Sequence, residues 1–429
     1  MKIAVWHNLP SGGGKRALYY HVRGLVERGH QVEIWCPDTA DVSYLPLTPF
    51  GPEHVLPLAW KHGQIVPGRI ARLLPTNRES SRKIAALNAH CQQVGAQIEA
   101  GNFDLLFANS CTVTASSPIA RYVSIPTALY LQEPNRPLYE ARPLPPWAAL
   151  WPDGSPMFSR RHIRTFIADY IKVWNMRELV REEVANAAAF DAILVNSYFS
   201  RESVRSAYGL NSRVCYLGID HHHFAGAFGP RENYAVGLGT LIYVKNARFV
   251  IEALGQVPEP RPLLIWIGNG ADSTYLQEMK ELAKNRGVEF EPKVFVTDEE
   301  LRSYLTRASM MLYAPVLEPF GFAPLEANAC GTPVIAVAEG GVRETVIDGL
   351  NGLVVAPDPA AMAAGIVRLR DDTAYARKLG AAAQEHVAAC WSLSAAMDRL
   401  EECFEDVLRK KATPGTRSKV AELAPDNGS

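Results

Sequence analysis

Glu318 and Glu326 stand with seven residues between them in the stretch PVLEPFGFAPLEANACG, residues 315–331. A short apolar run, residues 310–315, precedes them and reads as a buried strand. A helix is expected from about Ala323 and Pro324, because proline is tolerated at a first helical position whose N–H has no partner anyway. The N–H groups of Phe320, Gly321, Phe322 and Ala323 would then gather at a helix start, where the macrodipole favours anions. Gly321 lets the chain approach a ligand closely. Two carboxylates for hydroxyls beside an amide nest for phosphate suit a sugar nucleotide. The spacing alone is a weak signal, since an ordinary strand–helix junction can carry a surface glutamate at each end.

The longer run EPFGFAPLEANACGTPVIAVAEGGVRETV is more specific. It resembles the retaining, family-4 type glycosyltransferases (glycosyl transferases group 1) of GT-B fold, whose signature runs Glu, Gly-rich turn, Glu, strand, Gly-Gly-x-x-Glu. The resemblance implies an α/β architecture of two doubly wound, Rossmann-like domains facing a central cleft. It assigns Glu326 to the donor ribose and Glu318 to the donor sugar and the charge developing there. The other donor-binding positions are Gly13, Gly14, Gly239, Thr240, Lys245, Gly268, Phe320, Gly321, Phe322, Ala323, Pro324 and Leu325. Two departures stand out. The usual Gly-Arg-Leu turn reads Gly239-Thr240-Leu241, which leaves Lys245 as the remaining cation and a catalytic candidate with Glu318. Gln132-Glu133-Pro134 replaces the His of many members, so Gln132 and Glu133 are acceptor-side candidates, although Glu133 could equally be a loop residue.

The elements that must position these residues alternate. Residues 2–7 read as a strand, Ser11 to Gly14 as a turn, 15–28 as a helix and 30–36 as a strand, a βαβ start with glycines at the ligand-binding end. Neither the dinucleotide fingerprint nor the P-loop pattern fits, because Ala17, Leu9 and Arg16 break them. A tight turn and nothing more is the other reading of these glycines. Residues 51–77 look Pro-rich and irregular. A helix over 81–100, strands over 103–109 and 126–132, and a strand over 191–196 with Ser197 as helix N-cap complete the first half. Residues 136–181 look like an insertion with Trp147 and Trp151 and a basic helix, which can mark a membrane surface or an anionic acceptor but is more often a solvated face. The second half repeats the alternation, with strands at 234–239, 262–268 and 333–337. Its helices are expected at 247–254, 274–286 and 298–308, then from 360 to about 411.

The expected domains are 1–219 on the acceptor side, a hinge at 220–233, donor-binding 234–390, a helix at 391–411 returning to the first domain, and a disordered tail, 412–429. His221, His222 and His223 read as linker, being adjacent and unable to converge on one metal. No Asp-x-Asp pair or His/Asp/Glu cluster has ligand spacing, so no metal is expected. The phosphates fall to amides and Lys245.

The chain has 429 residues, 48% hydrophobic and 21% charged, with net charge −1. That fits two soluble domains and gives no case for nucleic acid. Seven scattered cysteines without C-x-x-C pairs fit a reducing, cytoplasmic setting. No apolar run approaches the ~20 residues that span a bilayer, so membrane contact would be peripheral, at the inner face. Expected partners are a nucleotide diphosphate sugar (GDP- or UDP-linked) and a glycan or lipid-linked acceptor, in polysaccharide or glycoconjugate synthesis, with a lean towards mannosyl transfer. A sugar-nucleotide epimerase and a non-catalytic sugar-nucleotide-binding subunit remain the alternatives.

Overall fold

The computed structural model describes residues 1–59, 79–140, 159–224 and 231–412. Trp147, Trp151, residues 60–77 of the irregular stretch and the tail from 413 lie outside them. Two compact units emerge. One comprises Met1–Val195, Arg201–Cys215 and the chain from Leu400; the other comprises Asn196–Ser200 and Tyr216–Arg399.

The first unit runs β1 (Lys2–Asn8), α1 (Gly13–Glu27), β2 (Gln31–Pro37), β3 (Glu53–Leu56), α2 (Glu79–Ala100), β4 (Leu105–Cys111), β5 (Thr127–Tyr130), α3 (Arg136–Tyr139), α4 (Arg160–Ala188), β6 (Ala192–Val195), α5 (Tyr198–Tyr208) and β7 (Arg213–Val214). Its seven strands lie in the order β3-β2-β1-β4-β5-β6-β7, and every recorded pairing is parallel. β1 is central and buried on both faces: Ile3 and Val5 on one, Ala4 and Trp6 on the other. A continuous apolar run is what a strand covered on both sides requires. β3 corrects the reading of 51–77 as irregular; four edge residues with two polar side chains carry no readable period.

The second unit runs α6 (His221–Phe224), β8 (Glu232–Leu238), α7 (Ala247–Leu254), β9 (Leu263–Gly268), α8 (Ser273–Arg286), β10 (Phe290–Val294), α9 (Asp298–Arg307), β11 (Ala308–Tyr313), α10 (Phe322–Ala329), β12 (Val334–Val337), α11 (Val342–Thr345), β13 (Gly352–Val355), α12 (Pro359–Asp371), α13 (Thr373–Cys390) and α14 (Leu393–Ala412). Its six-stranded parallel order, β10-β9-β8-β11-β12-β13, repeats that of the first sheet. In both, strand order reverses beside the first strand, and ligands bind at such a switch point, beyond the strands' carboxyl ends. In the second unit that point lies between β8 and β11, whose register pairs Ala235 with Met310. The loop after β8 carries Lys245; the loop after β11 carries Glu318. β10, missed in the sequence, holds Pro292 on an edge, where a proline is tolerated. His221 to His223 form one helical turn. α14 includes Ala412, and its residues from Leu400 belong to the first unit.

Candidate active site

Lys245 Nζ donates to Glu318 Oε2 at 2.6 Å, with the two side chains 26% and 17% exposed. The backbone holds them there. Val316 N–H donates to the carbonyl of Val244 at 2.9 Å, tying the two loops together. Both charged residues adjoin a left-handed backbone: Asn246, at φ 55°, follows Lys245, and Leu317, at φ 51°, precedes Glu318. Asparagine tolerates that region; for leucine it costs about 1 kcal/mol or more. The Leu317 N–H donates to Glu339 Oε2 at 3.2 Å, one of the contacts fixing this conformation.

Glycines on the next loop press against Glu318 from behind. A Cβ on Gly340 would lie 2.3 Å from the Glu318 carbonyl oxygen, and one on Gly341 would lie 2.1 Å from that of Pro319. Gly341 N–H donates to Glu318 O at 2.8 Å. Glu344, last residue of the Gly-Gly-x-x-Glu motif, accepts from the N–H groups of Tyr198 and Phe199 and from the Tyr216 hydroxyl. Its part is to hold the segment Asn196–Ser200, whose Ser197 Oγ in turn donates to the Pro319 carbonyl at 2.6 Å. Ser197 also accepts from Ser200 N–H at 2.9 Å, as an N-cap does.

Gly321, at φ 96°, is the N-cap of α10. The helix starts at Phe322, so Pro324 is its third residue rather than its first, which is equally free of a missing intrahelical bond. Glu326 is therefore the fifth residue, past the first turn, and only 2% exposed. Beneath it, burial pushes the Tyr313 phenol well above its ordinary pKa, and Glu318 and Glu326 push it the same way. Phe320 is buried, Phe322 and Ala323 half-buried, Leu325 buried. Thr240 Oγ1 donates to Asn269 Oδ1 at 2.8 Å. Gly239 and Gly268 let those two loops close up, since a Cβ on Gly268 would lie 2.6 Å from Gly239 O. All these donor-side candidates share one end of the second sheet.

The remaining candidates belong to the first unit. Gly13 and Gly14 open α1 with Gly12 as N-cap, so the helix begins two residues earlier than the turn reading placed it. A Cβ on Gly14 would meet Gln132 Cγ at 3.9 Å, which brings the glycine turn and the loop after β5 together. Glu133 pairs with Arg136. Sequence reasoning missed Glu183. Fully buried, it accepts from Tyr208 Oη (2.6 Å), Asn135 N–H (3.1 Å) and Ala115 N–H (3.0 Å), fixing the loops after β4 and β5. Burial raises its pKa, against those bonds. Nothing in its helical surroundings marks it out.

The fold also gathers a cluster that linear spacing hides. His7, Cys36 and Glu53, on three neighbouring strands, place their ligand atoms within 4.8 Å of one another, the only such group among the described residues. Lys15, fully buried, acts electrostatically on the same groups. Burial lowers His7 to about 4, against the pull of Glu53, and raises Cys36 to about 12. The Leu9 N–H donates to His7 Nδ1 at 3.4 Å, which leaves the ring proton on Nε2, 3.9 Å from Glu53. A proton where a metal would bind, and an ammonium nearby, disfavour a cation. The group is a buried polar cluster of mixed charge, with Lys15 in the first turn of α1.

The family profile described as Glycosyltransferase Family 4 matches residues 11–223, and that described as Glycosyl transferases group 1 matches residues 219–386. The D-inositol 3-phosphate glycosyltransferase of Corynebacterium diphtheriae is 33% identical over 200 residues, 46% of this chain and 45% of that protein. The GDP-mannose-dependent alpha-(1-6)-phosphatidylinositol monomannoside mannosyltransferase of Mycolicibacterium smegmatis is 29% identical over 258 residues, 53% of this chain and 66% of that protein. The matched part thus spans about half of such relatives. An Anabaena protein solved with UDP superposes with TM-score 0.67 at 19% identity, over 95% of this chain and 100% of that one. The sucrose-phosphate synthase of Thermosynechococcus elongatus does so with TM-score 0.68, also at 19% identity and with coverage of 95% and 100%. These likenesses establish the two-domain GT-B fold.

Proposed function

Because the chain belongs to the glycosyltransferases of family-4 type, we propose that it moves a hexose from a nucleotide diphosphate sugar to a hydroxyl of a glycan or lipid-linked acceptor, with retention at the anomeric carbon. The observation that carries this reading is the Lys245–Glu318 pair at the β8/β11 switch point. An ammonium and a carboxylate held together there answer the two charges of glycosyl transfer: negative on the departing diphosphate, positive at the anomeric carbon. Groups aimed at charge that develops in the transition state are the ones that raise turnover.

In this reading Glu318 faces the sugar, and Lys245 with the free N–H groups at the start of α10 receives the phosphates. Glu326 takes the ribose hydroxyls, with Gly239, Thr240 and Gly268 shaping the nucleotide side. Gly13, Gly14, Gln132 and Glu133 serve the acceptor side and the donor phosphates. The fixed donors take the place of a bridging metal. A GDP-mannose-dependent relative and a UDP-bound neighbour support a GDP- or UDP-linked donor, and mannosyl transfer is the narrower proposal. All seven cysteines are unpaired, which supports a cytoplasmic setting. No helix among the described residues is long and apolar enough to cross a membrane.

The test is product analysis with labelled GDP-mannose, UDP-glucose and UDP-galactose and glycan or lipid-linked acceptors, with and without excess EDTA. A glycosylated product of retained configuration, formed equally in EDTA, is expected. An epimerised nucleotide sugar would overturn the transfer. Activity abolished by EDTA and restored by Mg²⁺ or Mn²⁺ would overturn the assignment of the phosphates to Lys245 and the amides.

A further inference from the structure

The long helix α4 turns an unusual face to solvent. Ile163 (49% exposed), Phe166 (57%), Ile167 (42%), Tyr170 (59%) and Trp174 (53%) recur every three or four residues, so they form one stripe along three turns. The other exposed large apolar side chains among the described residues are scattered singly or in pairs. Scattered ones need no explanation; a contiguous stripe does.

Charge on the same helix is sorted by exposure. Every charged residue of α4 that is exposed is basic: Arg160, Arg164, Lys172, Arg177 and Arg181. The acidic residues are paired or partly shielded. Glu178 accepts from Ser81 Oγ at 2.6 Å, Glu182 accepts from Arg121 at 3.0 Å, Glu183 is buried, and Asp169 is half-buried. Amphipathic helices that lie in a membrane interface combine aromatic and aliphatic side chains with flanking Lys and Arg. Tyr and Trp favour the headgroup level.

We propose that the outward face of α4 seats the first unit on an anionic lipid surface, Phe166, Ile167, Tyr170 and Trp174 entering the headgroup boundary and the arginines meeting lipid phosphate. Charge selects this occupant. Docking against a second copy across a two-fold axis would set cationic side chains against their own kind. A neutral apolar partner would leave the sorted charge without use. The stripe, rather than basic charge alone, is what grips, and the surface stands whatever donor or acceptor the active site takes.

The experiment uses the full chain in co-sedimentation with vesicles of phosphatidylcholine alone and of phosphatidylcholine with phosphatidylglycerol, at low and high salt. Binding to the anionic vesicles, weakened by salt because the Debye length shrinks, is expected. Phe166→Asp with Trp174→Asp should cut partitioning at least tenfold. Arg164→Gln with Arg177→Gln and Arg181→Gln should remove its salt dependence, and keeps the test open if the first pair fails to fold. Calorimetric binding of GDP or UDP by the same samples reads the active site separately. Wild-type protein left in the supernatant with both vesicle types would overturn the proposal. So would equal binding by the folded variants, or self-association in sedimentation velocity that the same substitutions abolish.

Discussion

Lys245 and Glu318 neutralise each other across 2.6 Å, so each substitution alters the residue left behind as well as the one removed. Lys245→Ala removes a full positive charge where Thr240 stands in place of the usual arginine. Turnover is expected to fall by about 10²-fold or more, the scale of losing one preorganised charge stabiliser, and added divalent metal should not restore it; steady-state kinetics checks both. Glu318→Gln keeps the shape and removes the charge. It should lower kcat with nucleotide affinity nearly unchanged if, as proposed, the group acts where charge develops. If KM for donor rises while kcat holds, Glu318 is a binding group only. Glu326→Ala should weaken calorimetric binding of the nucleotide diphosphate at least tenfold, since charge-assisted bonds to hydroxyls contribute about 1.5–3 kcal/mol each. With Glu326 only 2% exposed, Glu326→Gln is the companion that separates lost charge from lost packing. Unchanged affinity in both would remove it from the ribose.

The loop after β11 depends on the loop after β12. Gly340 and Gly341 lie so close to the Glu318 and Pro319 carbonyls that any side chain must displace them. Misplacing a catalytic group by about 1 Å can cost ~10²-fold in rate. Gly341→Ala is therefore expected to lower turnover by that order, more than its effect on melting temperature would account for. Gly349→Ala is the control: at positive φ (74°), where Gly341 is not, but with nothing within 4 Å of a new Cβ, it should cost stability and spare turnover. Equal turnover in the two variants would show that the glycine contact does not position Glu318. The Gly-Gly-x-x-Glu motif was legible in sequence. That its glycines brace Glu318 while its glutamate caps Tyr198 and Phe199 was not, because the partners lie about 20 and 145 residues away.

At the scale of the whole molecule, three buried imidazoles of the first unit set its response to acid. Burial holds His7 at about 4, His21 at about 3 and His90 at about 4, against an ordinary value of 6.5. The unfolded chain takes up protons first as pH falls, so their contribution is fully present above about pH 6.5 and is lost as pH drops towards 4 and below, at about 1.4 kcal/mol per unit of depression. Denaturant unfolding at pH 7, 6 and 5 should show this decline, and His21→Phe should flatten it, since that ring packs edge-on against Tyr130. A profile that stays flat from pH 7 to 5 would refute it. The sequence by itself determined the alternation of strand and helix twice over, the family-4 signature, and Glu318, Glu326 and Lys245 as candidates. These rest on local periodicity and on residues close along the chain. Tertiary structure alone decided that Lys245 and Glu318 pair, that His7, Lys15, Cys36 and Glu53 share one buried cluster, and that α4 exposes its aromatics while its acids are paired or partly shielded. It also decided the edge strands β3 and β10, which are too short and polar to show a period. The reason is common to all of them: strand order and helix facing fix which distant side chains meet, and neither quantity is written in any one stretch of chain.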